Sequence, residues 1–310
     1  MIKFKADGAV NIGRPVNVGT HNATFHADEV FATAIMLQGL GELHVTRTRD
    51  QVLLDQQDAL LDVGGVYDEA TRRYDHHQKG GAGVRANGIP YATAGLVWRS
   101  FGERVVRAFD SSLIDSEVTE IYERIDAEFF RYIDAVDCGI DVPGPASVSI
   151  SNIISGFKPG WYEAPDFDAG FEKAVWFALE IVRNRIRDAI GAVKARIVVE
   201  AATPVNEGKV LVLDRFAPWT ESVCKGMPDV LYVVYPGATG DWRVQVVPAE
   251  TDSFKARKSL PESWAGLNDA KLSEAVGIPG CVFCHNGRFI CSNQTKEGAL
   301  EMARKAVAQY

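Results

Sequence analysis

The stretch Val16-Asn17-Val18-Gly19-Thr20-His21-Asn22-Ala23-Thr24-Phe25-His26-Ala27-Asp28 decides how the first half of this 310-residue chain folds. Val16 to Gly19 reads as a short strand, and Glu29 to Leu40 follows with Val30, Ala34 and Leu37 at helical spacing. Strand, loaded loop and helix in that order start a parallel sheet with crossover helices, whose ligands gather beyond the carboxyl ends of its strands. Leu43 to Thr46 and Ala59 to Val63 are further strand candidates, and Asp62 stands at the carboxyl end of the second. Gly64-Gly65 after it reads as a tight turn rather than a phosphate cradle. Helical patterns cover Tyr91 to Phe101 and Glu117 to Val136.

After Gly139 the texture changes. Pro143-Gly144-Pro145 and 156–168 read as loops, and a long helix is expected from about Phe171 to Val193. Beyond Lys209 the strands shorten: Leu211 to Leu213, Leu231 to Tyr235 and Trp242 to Val247, the last two joined by a hairpin turn at 236–241. Asn286-Gly287 signals a second hairpin between Cys281 to Cys284 and Phe289 to Cys291. A closing helix opens at Thr295. The expected fold is α/β, with a parallel-sheet catalytic domain at 1–165, a connecting helix at 166–200 and a smaller mixed α/β substrate-binding domain at 201–310.

The formal net charge of -8 argues against a protein that coats nucleic acid by bulk electrostatics, and favours a short or single-stranded substrate over a duplex. No apolar run is long enough for a membrane span, and Met1 to Val18 lacks the character of a secretory signal or transit peptide, so a cytoplasmic location is expected. Five cysteines without such a signal argue against a disulfide framework. Cys281 and Cys284 form a C-x-x-C, which raises a zinc or redox reading. Buried reduced thiols on a strand account for it better.

Four of the six histidines lie in two acid-bearing motifs, His21 to Asp28 and Tyr74-Asp75-His76-His77-Gln78. Asp62 supplies a third acidic position, and Asp134 and Asp137 lie in a fourth motif, Ile133 to Gly139. Carboxylates mixed with imidazoles suit two divalent ions bridged by an acid, a pair that clamps a phosphoryl group and activates water. The inferred reaction is hydrolysis of a phosphate ester or anhydride.

These words resemble the DHH phosphoesterase superfamily and, within it, the melanocyte-proliferating-gene family of metal-dependent RNA exonucleases. Six words in order carry the resemblance: Gly19 to Glu29, Asp62 to Asp68, Tyr74 to Gln78, Ile133 to Gly139, Gly277 to Cys281 and Thr295 to Leu300. It implies that the amino-terminal domain is of the DHH type. It also implies metal ligation by His21, His26, Asp28, Asp62, Asp75, His76 and Asp137, with Asp62 as the bridge. Asp62, His76 and His77 would be the catalytic group, His77 facing the substrate phosphate as stabiliser or proton donor. The implied cofactor is a pair of divalent ions, Mn²⁺ first, with Mg²⁺, Zn²⁺ or Co²⁺ as alternatives.

The chain departs from the superfamily by placing His26 where an acid is usual, and nitrogen there shifts preference away from Mg²⁺. It departs from the family at Cys138, where Asn is usual. Asp134, one helical turn before Asp137, reads as a residue that holds the loop rather than a ligand. Asp68 reads as structural and His44 as incidental.

Substrate contacts are expected from Arg257, in Lys255-Ala256-Arg257-Lys258, and from His285 and Arg288 in a loop that loosely resembles a substrate-gripping one. A solvated basic turn is the plain alternative for that strip. Arg47 and Arg49 lie one strand beyond the first motif and are further candidates for bidentate phosphate contact. The expected activity is 3′–5′ exonucleolytic hydrolysis of RNA or short oligonucleotides, with no membrane partner; a homo-oligomer is compatible with this. The rivals are a phosphoanhydride or small nucleotide phosphate hydrolase, and a non-catalytic metal-stabilised binding protein.

Overall fold

A six-stranded sheet organises the amino-terminal half. The structure is a computed structural model that describes residues 1–251 and 253–309. Its contacts divide the chain into two compact units, Met1–Ile190 and Gly191–Tyr310. The boundary falls inside a long helix, Phe167–Glu200, longer at both ends than its apolar spacing predicts.

In the first unit the strands are β1 (Ile2–Lys5), β2 (Val16–Thr20), β3 (Glu42–Arg47), β4 (Ala59–Leu61), β5 (Tyr67–Asp68) and β6 (Arg73–Tyr74). Their order is β1-β3-β2-β4-β6-β5, with β3, β2, β4 and β6 parallel and an antiparallel strand at each edge. The parallel strands β3, β2 and β4 match the sequence reading, which did not include β6. The edge strands escaped it, because two to four residues carry too little periodicity to register.

Helix α1 (Ala27–Leu40) follows β2, and every one of its residues is buried. A helix hydrophobic all round belongs inside a layer rather than on a surface. Gly41 ends it at φ +90, where a Cβ would stand 2.5 Å from the Val10 carbonyl oxygen. Helix α2 (Gln51–Leu54) is a single turn, and α3 (Thr93–Phe109) packs on α1.

The sequence predicts one helix over Glu117 to Val136. The structure has α4 (Asp115–Ile125), a π-helical turn at Asp126–Phe130, and α5 (Arg131–Asp137) in succession. The wider turn turns both Phe129 and Phe130 inward, against Phe31, where regular α spacing would put neighbours on diverging faces. Helix α6 (Ile150–Ser155) completes the wall beside α5.

The second unit has a five-stranded sheet in the order β10-β11-β9-β8-β7, made of β7 (Val210–Val212), β8 (Tyr232–Pro236), β9 (Trp242–Val246), β10 (Cys281–Cys284) and β11 (Ile290–Asn293). The expected hairpins β8–β9 and β10–β11 are both antiparallel, and β7 joins β8 in parallel. The closing helix runs Lys296–Ala308, capped by Thr295, whose hydroxyl accepts from Gly298 N. Cys281, Cys284 and Cys291 are buried in this core and free. Among the described residues no helix is long and apolar enough to cross a membrane.

Candidate metal centre

Four chain segments end at the carboxyl edge of the parallel strands and carry the predicted motifs there. His21 follows β2 directly, and His26 caps α1 in an extended conformation. The Glu29 carboxylate accepts the His26 backbone N–H at 2.9 and 3.0 Å, which fixes where the helix starts. Asp62 follows β4 with φ +55, a left-handed conformation unusual for a residue with a side chain, of the strained kind that clusters at active sites. Its Oδ1 accepts from Thr93 Oγ1 at 3.3 Å. His76 and His77 follow β6, and Asp137 ends α5.

Side-chain distances show how tightly these residues meet. His21 Nε2 lies 3.0 Å from Glu29 Oε1 and 3.2 Å from Asp62 Oδ2. His76 Nε2 lies 3.1 Å from Asp137 Oδ2, 3.4 Å from Asp62 Oδ1 and 3.8 Å from Asp28 Oδ2. Among the described residues three sets of donors could each hold a cation: His21, His26, Glu29 and Asp62; Asp62, His76 and His77; His26, Asp28 and Asp137. Asp62 and His26 each belong to two sets.

The electrostatics of the cluster call for positive charge. Burial first, and then the neighbouring Asp62 and Asp137, raise the Asp28 carboxyl well above the usual range. Burial disfavours a charged His21, but hydrogen bonds to Asp62 and Glu29 override it and push the ring up to about 10. His76 behaves likewise, with Asp137 and Asp62 outweighing its burial and lifting it to about 12. Asp62 would be raised by burial, yet His21 and His76 hold it well below the ordinary carboxylate range. The acids draw protons onto the imidazoles because each ring nitrogen lies within hydrogen-bonding reach of two carboxylates.

Both oxygens of Asp28 are buried without a hydrogen-bond partner among the described residues, and the buried Nε2 of His76 has the acids Asp137 and Asp62 as its neighbours. Native interiors rarely leave such groups orphaned. Buried carboxylates and imidazoles at these separations fit divalent cations, which take imidazole in its neutral form and release its proton.

Asp75 lies outside the three donor sets. Its Oδ2 accepts from Gly65 N at 2.6 Å, and its Oδ1 stands 2.8 Å from His77 Nδ1. That pairing orients the His77 ring, whose side chain is 62% exposed. Cys138 is close to the centre, its Sγ 4.0 Å from His76 Nδ1.

Asp134 has a different role from Asp137. It accepts from Gly95 N at 3.0 Å and pairs with Arg85 Nη2 at 2.8 Å, holding α5 against α3. Asp68 accepts from Ala70 N and Thr71 Oγ1 inside its own turn. Glu29 escaped the sequence reading because an acid in the first turn of a helix is ordinary on dipole grounds alone.

The arginines separate. The Arg47 side chain is buried, paired with Asp168 at 2.9 Å and stacked over Phe25 and Phe171. Arg49 instead lines a pocket of about 270 Å³ with His21, Asp62, Asp75 and His77. Arg257, His285 and Arg288 lie in the second unit. The Arg257 guanidinium donates to the carbonyls of Met227, Val230 and Cys224 at 2.7, 2.8 and 3.2 Å, a structural clamp. His285 is exposed and accepts from Gly287 N. Arg288 reaches the Leu260 carbonyl from a left-handed turn position.

A family model described as "Uncharacterised protein family (UPF0160)", that of the MYG1 exonucleases, matches residues 17–307. The chain is 35% identical to the MYG1 exonuclease of Homo sapiens, an alignment that covers 95% of this chain and 86% of the human protein. It is 36% identical to the MYG1 exonuclease of Rattus norvegicus, covering 96% and 86% respectively. It is 34% identical to a MYG1 protein of Schizosaccharomyces pombe, covering 94% and 97%.

Proposed function

Because the chain belongs to the MYG1 exonuclease family, and so to a family of nuclease-type hydrolases, we propose that it is a metal-dependent 3′–5′ exonuclease acting on RNA or short oligonucleotides. The observation that carries the reading is the donor cluster itself: Asp28, buried with both carboxylate oxygens unmet, meets Asp62, Asp137 and Glu29 and the imidazole of His76 beside an open pocket. The order of the four motifs also supports taking the first unit as DHH-type.

Two divalent cations, Mn²⁺ first, would be held by His21, His26, Glu29 and Asp62 and by Asp28, His76 and Asp137, with Asp62 common to both. When bound they supply Lewis-acid neutralisation of phosphate charge and lower the pKa of an attacking water. The chain's own residues do the rest. Thr93 and the strained backbone at Asp62 hold that carboxylate at the junction of the sets. Asp75 holds His77 by Nδ1, so that in the doubly protonated ring the Nε2–H would donate to a phosphate oxygen or pass its proton to the leaving one. Arg49 lines the same pocket and brings a planar fork suited to a phosphate.

The test is Mn²⁺-dependent release of mononucleotides from 5′- and 3′-labelled RNA, with DNA and pyrophosphate alongside. Release from the 3′ end, lost on chelation, is the expected result. Hydrolysis of pyrophosphate with RNA untouched would replace the reading by a phosphoanhydride hydrolase. Metal binding with no turnover of any substrate would leave a metal-stabilised binding protein.

A further inference from the structure

We propose that a groove of about 490 Å³ on the first unit, beside the donor cluster, is the subsite for the nucleotide next to the scissile one in a single-stranded substrate. Lys158 is its phosphate contact, and Trp161 and Tyr162 are stacking surfaces for the bases beyond. The inference rests on the nuclease reading and goes past it by naming the substrate class: an unpaired oligonucleotide of at least two nucleotides.

Continuity is the first argument. His26 lines both this groove and the pocket that holds Arg49, Asp62 and His77. A chain with one phosphate at the cluster therefore continues into the groove without leaving the surface. Chemistry is the second. Besides Asp137, the polar lining of the groove includes Ser149, Asn152, Ser155 and Lys158, neutral hydrogen-bonding groups and one cation.

Lys158 makes no ion pair among the described residues, and its Nζ sits 5.8 Å from the centroid of the Phe25 ring. Burial lowers its pKa while the charge of Glu29 raises it. A partly desolvated ammonium meets a phosphate more strongly than one in open water. The third argument is the loop that leaves the groove. Trp161 is 96% exposed and Tyr162 76% exposed, with ring centroids 5.9 Å apart. Neighbouring bare aromatics in a polar setting mark an interaction site, and unpaired bases are the flat, sequence-tolerant partners such rings take. A duplex offers no free base faces to them.

The experiment compares wild type, Lys158→Ala and a Trp161→Ala/Tyr162→Ala double variant on a single-stranded RNA octamer and on the nitrophenyl ester of thymidine 5′-monophosphate, which reaches no further than the cluster. Both variants are expected to raise KM for the octamer about tenfold, within the range for losing a stacking contact, and to leave turnover of the ester unchanged. An unchanged octamer KM, or equal losses on both substrates, would overturn the subsite. Fluorescence anisotropy of the labelled octamer with chelator present separates this from the nuclease reading. A wild type that binds but does not cleave, with weakened variants, keeps the subsite and removes the exonuclease. Variants that bind as tightly as wild type remove the subsite.

Discussion

Two buried carboxylates of the first unit, Asp134 and Asp28, are both completely inaccessible, yet they are answered in opposite ways. Asp134 has Arg85 at 2.8 Å and the Gly95 N–H at 3.0 Å, and Asp126 from the π-helical turn shares the same guanidinium at 2.7 Å. Asp28 faces Asp62, Asp137 and Glu29, with His76 Nε2 its near partner at 3.8 Å. One site carries its cation in the chain. The other is built so that positive charge arrives from outside. A buried charge with a fixed partner holds structure, and a buried cluster of like charge without one marks a place for a ligand.

The largest effect that tests the contrast is on catalysis. Asp62→Asn should lower exonuclease turnover on the order of 10³-fold or more, the equivalent of several kcal/mol, while circular dichroism stays that of wild type. A variant with full activity would put the chemistry elsewhere. The reverse is expected on the structural side. Arg85→Met should destabilise the chain by about 3–5 kcal/mol in denaturant unfolding, because two acids are left facing each other without a cation. Adding Asp134→Asn to it should recover part of that loss, and additive losses would show that the pair is not coupled.

A smaller effect should separate the two sites by metal. Mn²⁺ at about 100 times its dissociation constant should stabilise the wild type by about 2.7 kcal/mol. Asp28→Asn should lose that gain, and in chelator should be no less stable than wild type, since an unpartnered buried acid has been removed. Equal stabilisation of both proteins would leave Asp28 outside the metal site.

The smallest expected effect is a pH slope. Burial, opposed by Arg85, raises the Asp134 carboxyl to about 7, above its unfolded value of about 3.9. Between those values the folded state binds more protons than the unfolded one, so this group's contribution falls as pH rises from about 4 to about 7 and is flat beyond. Asp134→Asn should lose that decline in unfolding curves taken across the range. A slope identical to wild type would mean that Arg85 keeps the acid ionised throughout.

Much of the centre was legible in the chain because its donors sit in short words. His21 and Asp62 follow strands, His26 and Asp28 open a helix and Asp137 closes a helical stretch, all readable from periodicity, while His76 follows a two-residue strand and was legible only from its own word. Glu29 stood inside the first word and went uncounted, since a first-turn acid has a plain reason to be there. Lys158, Trp161 and Tyr162 lie on a loop with no motif around them. Arg257 sat in the best basic strip of the second half, and the three carbonyls that take its guanidinium could not be foreseen from its neighbours.

The sequence by itself determined the α/β architecture and the strand edge that carries the cluster, because alternation and helical spacing fix which loops follow which strands. Tertiary structure alone decided the partners. Arg47 and Arg49 are two residues apart and chemically identical, yet one is held by Asp168, 121 residues away, and the other lines the pocket. Periodicity is a local property of the chain. The charge a side chain meets in a folded interior is set by residues that only folding brings near.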